Sequence, residues 1–155
     1  MTTEEKVQKE LQAKFSFLVD KVEVQRARRL WAEVDYSNFR TVFEFSIDQL
    51  KFFLLCTITG LDDGDKLGLI YHLASADGTV LNIKTSVPMQ NPVIQTVTDL
   101  FPAAEIYERE LVDLLGAKVE GLKLAFRYPL TDDWPVDQYP LRKSWKMPAS
   151  EKGTS

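Results

Sequence analysis

Three carboxylates, Glu108, Glu110 and Asp113, fall within a six-residue stretch and are the groups in this chain best placed for acid–base work. Their setting gives them a simpler role. Glu105–Arg109 and Arg109–Asp113 are each four residues apart, so on a helix one arginine can bridge two carboxylates. Such a ladder adds only ~0.3–0.5 kcal/mol per pair on an exposed face. Cys56 is the only cysteine and His72 the only histidine. One thiol cannot close a disulfide, hold an iron–sulfur cluster or supply a zinc box, and one histidine without a nearby nucleophile makes no triad. Cys56 sits in an apolar run and reads as a small core residue. His72 sits in a strand and reads as structural. Asp62-Asp63-Gly64-Asp65 is an acidic turn that lacks the spacing and the closing glutamate of a calcium loop. From the residues alone, the catalytic, cofactor-binding and metal sites are therefore none.

The elements that must position these residues follow from periodicity. Val7, Leu11, Phe15 and Leu18 recur at helical spacing behind Thr3 as N-cap, with acidic residues in the first turn. Val22 to Val34 reads as two short strands with Arg26, Arg28 and Arg29 between them. Ser46 is expected to cap a second helix, with Gln49 as its capping-box partner, running through Cys56 and ending before Gly60. Asp77-Gly78 between two β-rich runs, Leu67–Leu73 and Val80–Val87, predicts a hairpin. Pro88 and Pro92 mark a loop. A third helix is expected from Ala103 to Leu115, entered through Phe101-Pro102 and stopped by Gly116. After Val119 helical periodicity fades, with Pro129, Pro135, Pro140 and Pro148 as punctuation. The expected fold is α+β: a single two-layer domain with helices packed on a mixed, mostly antiparallel sheet. Its core is expected over residues 1–122, an extended interaction arm over 123–148 and a disordered tail over 149–155.

Composition narrows the function. With 155 residues, 45% hydrophobic and 27% charged, the chain has enough material for one self-supporting core. A net charge of −4 argues against binding nucleic acid. No apolar run reaches the ~18–20 residues that cross a bilayer, and the first residues lack a secretion pattern. Contact with a membrane is therefore expected only through partners.

Two spaced segments carry a family resemblance. Asp99-Leu100-Phe101-Pro102-Ala103-Ala104-Glu105-Ile106-Tyr107-Glu108-Arg109-Glu110-Leu111-Val112-Asp113-Leu114-Leu115-Gly116 resembles the signature of the complex I thirty-kilodalton subunit family. Downstream, Thr131-Asp132-Asp133-Trp134 and Tyr139-Pro140-Leu141-Arg142-Lys143 resemble its closing motif. The resemblance is strongest over residues 67–145. Leu124-Ala125-Phe126-Arg127-Tyr128-Pro129 departs from the Gly-His-Pro segment of many members, and Pro129 to Pro135 looks more like the energy-converting hydrogenase branch.

The resemblance implies a cofactor-free, non-catalytic subunit on the cytoplasmic face of a membrane complex. Its implied partners are the large catalytic subunit, which holds the nickel–iron or quinone site, and the small iron–sulfur subunit. Respiratory complex I and sulfur-reducing relatives are alternative settings, and a free-standing binding module or assembly factor is another class. Residues 99–120 hold six acids against two bases, whereas residues 123–147 hold five bases against three acids. The arm is thus expected either to pair with the helix or to lie across a partner. In the second case Trp134 and Trp145 would be buried anchors, and Arg142, in the run Pro140, Leu141, Arg142, Lys143, would make a bidentate contact. On that reading Arg142→Ala weakens assembly and leaves the isolated chain folded.

Overall fold

The computed structural model describes residues 1–123 and 126–149. Helix α1, Thr3–Lys14, is capped by Thr2 rather than Thr3: the Thr2 hydroxyl accepts the Glu5 N–H, and the Glu5 carboxylate accepts the Thr2 N–H. Val7 and Leu11 face the core, and a 3-10 turn, Ser16–Leu18, carries Leu18 inward. Strands β1 (Val22–Arg26) and β2 (Arg29–Glu33) form a hairpin whose turn places Arg28 at φ 60°. The buried Glu4 carboxylate accepts the Arg28 N–H, which fastens the start of α1 to that turn.

The second helix is not where the sequence placed it. Helix α2 spans Tyr36–Asp48, and Leu54–Asp62 is strand β3. The buried stripe is Phe39, Val42, Phe43 and Ser46, at spacings of three and four. Ser46 lies near the end of this helix and donates to the Val42 carbonyl at 2.8 Å instead of capping a start. Lys51 at φ 62° breaks the chain direction, and the β-branched Thr57, Ile58 and Thr59 then favour a strand. Cys56 is correspondingly exposed, not a core residue. A bulge between Leu55 and Thr57 shifts the register there, so Leu55 and Ile58 point inward and Cys56 does not.

Strands β4 (Lys66–Ala74) and β5 (Val80–Pro88) make the expected hairpin, with Gly78 at φ 81°. The five-stranded sheet has the order β1-β2-β5-β4-β3; only the β2–β5 pair is parallel. Strand β6 (Val93–Gln95) pairs in parallel with β7 (Lys118–Glu120), and α3 (Ala104–Leu115) lies between them in sequence. The three helices pack on the mixed sheet as a two-layer α+β domain, as expected. Phe39 and Phe43 of α2 sit 4.4 and 5.4 Å from the Tyr71 ring of β4, which is fully buried. On the sheet, α3 rests against Gly60: a Cβ there would come 2.3 Å from Leu115 Cδ1 and 2.6 Å from Leu111 Cδ2.

His72 ties strands together. The Asn82 amide donates to the Leu30 carbonyl at 3.0 Å, which turns Asn82 Oδ1 toward His72 Nδ1 at 2.6 Å. Nδ1 therefore carries the proton. Nε2 shares a hydrogen bond with the Thr59 hydroxyl at 2.8 Å. The network crosses β2, β5, β4 and β3 in turn and leaves neither ring nitrogen free.

Candidate functional site: the α3 staple

The family-like helix α3 is built differently from a surface charge ladder. Glu108 is fully buried, Arg109 is 2% exposed and Asp113 is 8% exposed. Arg109 does pair with Glu105, Nη2 to Oε1 at 2.7 Å, but it does not bridge to Asp113. Nε also donates to Glu105 Oε1 at 3.2 Å, while Nη1 donates to the Phe126 carbonyl at 2.8 Å and Nη2 also to the Lys123 carbonyl. The guanidinium also lies 4.3 Å from the centre of the Phe126 ring. Asp113 accepts the Leu130 N–H at 3.1 Å and stands 3.9 Å from Arg127 Nε. Thus one face of α3 holds the chain that follows it at residues 123, 126 and 130.

Glu108 works on the other side. Its carboxylate accepts the Val97 N–H and the Thr96 hydroxyl, each at 2.7 Å, and so fixes the loop that leads into the helix. Burial raises the Glu108 pKa above the ordinary carboxylate range, against the lowering effect of those two hydrogen bonds. The folded chain then keeps this proton to higher pH than the unfolded chain does. The group favours folding most at low pH, and its contribution falls as pH rises from its unfolded value toward its folded one. Glutamine can make the same two contacts, accepting from Val97 and donating to Thr96. We therefore expect Glu108→Gln to fold normally and to remove a falling segment of the stability–pH curve starting near pH ~4.5; urea unfolding across a pH series measures it.

The end of α3 is closed by Gly116 at φ 76°, whose N–H reaches the Val112 carbonyl at 3.0 Å. Arg142 completes this end: Nε donates to the Leu115 carbonyl at 2.7 Å, and the guanidinium stacks 4.6 Å from the Tyr139 ring centre. The Leu141 N–H donates to the Leu114 carbonyl at 3.0 Å, and the Lys143 N–H to Asp62 at 2.7 Å. Asp62, the last residue of β3, is held below the usual carboxylate range by the N–H groups of Lys143 and then Gly64. Trp134 and Trp145 lie half-buried against each other at 5.8 Å and both bond to Gln138. Glu110 and Pro140 are half-buried and make none of these contacts.

The structure thus joins Gly116, Leu141 and Arg142 at the end of α3, ties Arg109 and Asp113 to the chain that follows, sets Glu108 apart on the loop before the helix and Lys143 on Asp62, and gives Trp134 and Trp145 each other. Sequence reasoning misses what Glu108 and Asp62 hold. A signal for Glu108 is present: it occupies the buried stripe Ala104, Glu108, Leu111, Leu115, where a lone acid must have a hydrogen-bond partner. Nothing local marks Asp62 as the acceptor for a residue 81 positions away. The stretch that departs from the family pattern falls partly outside the described residues, at Leu124 and Ala125, as does the expected tail from residue 150 onward.

Comparison with known proteins gives this helix and its staples a lineage. The sequence model of the family described as "Respiratory-chain NADH dehydrogenase, 30 Kd subunit" matches residues 32–151. The chain belongs to that family. A subunit of the F(420)H(2) dehydrogenase of Methanosarcina mazei is 31% identical, over 88% of this chain and 87% of its own length. The beta subunit of the membrane-bound hydrogenase of Pyrococcus furiosus is 29% identical, over 76% of this chain and 70% of its own. Among solved structures, a chain of the membrane-bound sulfane sulfur reductase, an archaeal respiratory membrane complex, superposes with a TM-score of 0.81 at 30% identity. That superposition covers 94% of this chain and 87% of the other. Family members are subunits of oxidoreductase complexes. No described helix of this chain is long and apolar enough to cross a membrane.

Proposed function

We propose that this chain is a non-catalytic structural subunit of the redox arm of a membrane-bound, ion-translocating complex of the energy-converting hydrogenase type. It would sit on the cytoplasmic face and hold the large catalytic and small iron–sulfur subunits in register. One observation carries the reading: the signature side chains are spent on backbone groups. Glu108 holds Val97, Arg109 holds Lys123 and Phe126, Asp113 holds Leu130 and Arg142 holds Leu115. Residues that a family signature singles out here shape a surface. The contribution of such a protein is position, on which transfer between neighbouring redox centres depends.

The test is purification of the native assembly through a tag on this chain. Co-elution of a nickel-bearing large subunit, with an iron–sulfur subunit, is the expected result. Recovery of the chain alone under gentle conditions would overturn the proposal. A dehydrogenase-type complex is the second reading, favoured by the coverage shared with the F(420)H(2) dehydrogenase relative; an assembly without nickel would select it. The half-exposed Tyr139–Trp145 stretch is the proposed contact with a partner. Arg142 also caps α3, so Arg142→Ala is expected to cost about 1.5–2 kcal/mol in the chain itself as well as weakening assembly. Denaturant unfolding of the chain, beside retention of the other subunits in the complex, separates the two losses.

A further inference from the structure

Strand β2 ends at Glu33, paired with Lys84, and the chain then turns into α2. The last pairing contact is the Val34 N–H to the Lys84 carbonyl at 2.8 Å. Strand β5 runs on to Pro88 with β4 on one side, Leu69 opposite Thr85 and Lys66 opposite Pro88. On its other side no described strand continues. This free stretch of β5 forms the floor of a cavity of about 570 Å³, walled by the start of α2 and by the β3–β4 turn.

The walls are mainly acidic. Glu33, Asp35, Asp63 and Asp65 line the groove against Lys66 and Lys84, and none of the six takes part in an ion pair among the described residues. Asp35 precedes α2 yet makes no capping hydrogen bond. Among the described residues no three histidine, cysteine or acidic side chains converge as metal ligands do. A strand edge beside unpaired carboxylates suits a peptide, which brings backbone donors and acceptors as well as cationic side chains.

We propose that this groove takes an extended, lysine- or arginine-bearing segment of a neighbouring subunit, laid along the free edge of β5 at Thr85–Pro88. The edge is short, so few backbone bonds form and the carboxylates set the choice of segment. This identification of the occupant rests on the assembly reading above. The groove is at the far end of β5 from the hairpin at Asp77-Gly78.

The experiment uses the purified complex with a photo-reactive amino acid replacing Ser86, followed by mass spectrometry of the cross-linked peptides. A single basic segment of another subunit is expected on Ser86. Asp35→Asn combined with Asp63→Asn is expected to lower that yield about tenfold, with a weaker dependence on salt than the parent complex shows. Cross-links only within this chain, to a second copy of it, or to nothing, in a preparation that retains the other subunits, would overturn the groove while leaving the assembly reading intact. So would an unchanged yield in the double variant. If no other protein of an oxidoreductase complex co-purifies at all, both readings fall together.

Discussion

Arg109→Ala is expected to destabilise the chain by about 3–4 kcal/mol, which for a domain of this size lowers the melting temperature by about 10 °C. The side chain is 2% exposed and serves Glu105 and the carbonyls of Lys123 and Phe126. Alanine leaves those two carbonyls without their charged donor, and such bonds are worth roughly 1.5–3 kcal/mol each before relaxation. Packing of the guanidinium on Phe126 is lost as well. Glu105 adds little to the penalty, because its side chain is 46% exposed and water can replace the arginine. Lysine keeps the charge but not the planar fork, so Arg109→Lys should recover less than half of the loss. Thermal and urea unfolding of the three proteins measures the series. A drop below about 1 kcal/mol for alanine would mean that the chain beyond residue 120 is not held through this residue.

Gly116→Ala has the second-largest expected effect, about 3 kcal/mol. Two costs combine. Gly116 has φ 76°, where a Cβ costs about 1 kcal/mol. That Cβ would also stand 2.5 Å from Arg142 Nη2 and 2.7 Å from Tyr139 Cε2, so both must move and the bond from Arg142 to the Leu115 carbonyl is strained or lost. Gly64→Ala supplies the control. Gly64 has φ 86° but nothing within 4 Å of its would-be Cβ, so only the backbone cost of about 1 kcal/mol applies. The difference between the two alanine variants in denaturant unfolding isolates the contact with the closing motif. Equal losses would remove Arg142 from the account of the helix end.

What is legible in the sequence, and what is hidden, follows from how local each cause is. The hairpin at Asp77-Gly78 and the stop of α3 at Gly116 are written in two or three adjacent residues, and the structure has both where they are expected. The position of α2 is hidden because Phe52 to Cys56 is apolar on consecutive positions, a pattern that suits a buried helix or a strand equally. Lys51 at φ 62° decides between them, and a lysine gives no warning of a left-handed turn. At the site, the four-residue spacing around Arg109 points to the pair with Glu105, which forms. It cannot reveal that the remaining donors turn toward carbonyls 14 and 17 residues downstream. Burial converts an expected surface ladder into an internal staple, and burial is a property of the fold, not of the spacing.

The parallel pairing of β2 with β5 has a consequence for the order of events during synthesis. Leu30 lies opposite Leu81, and β5 is the middle strand of five. Until the ribosome has released residue 88, the first hairpin and the first two helices lack the strand that joins them to the rest of the sheet. Closing that long loop must precede most of the gain in buried surface, which favours slow, late consolidation over early local folding. A nascent chain arrested before β5 should therefore be readily cleaved by protease, and one released after it should not.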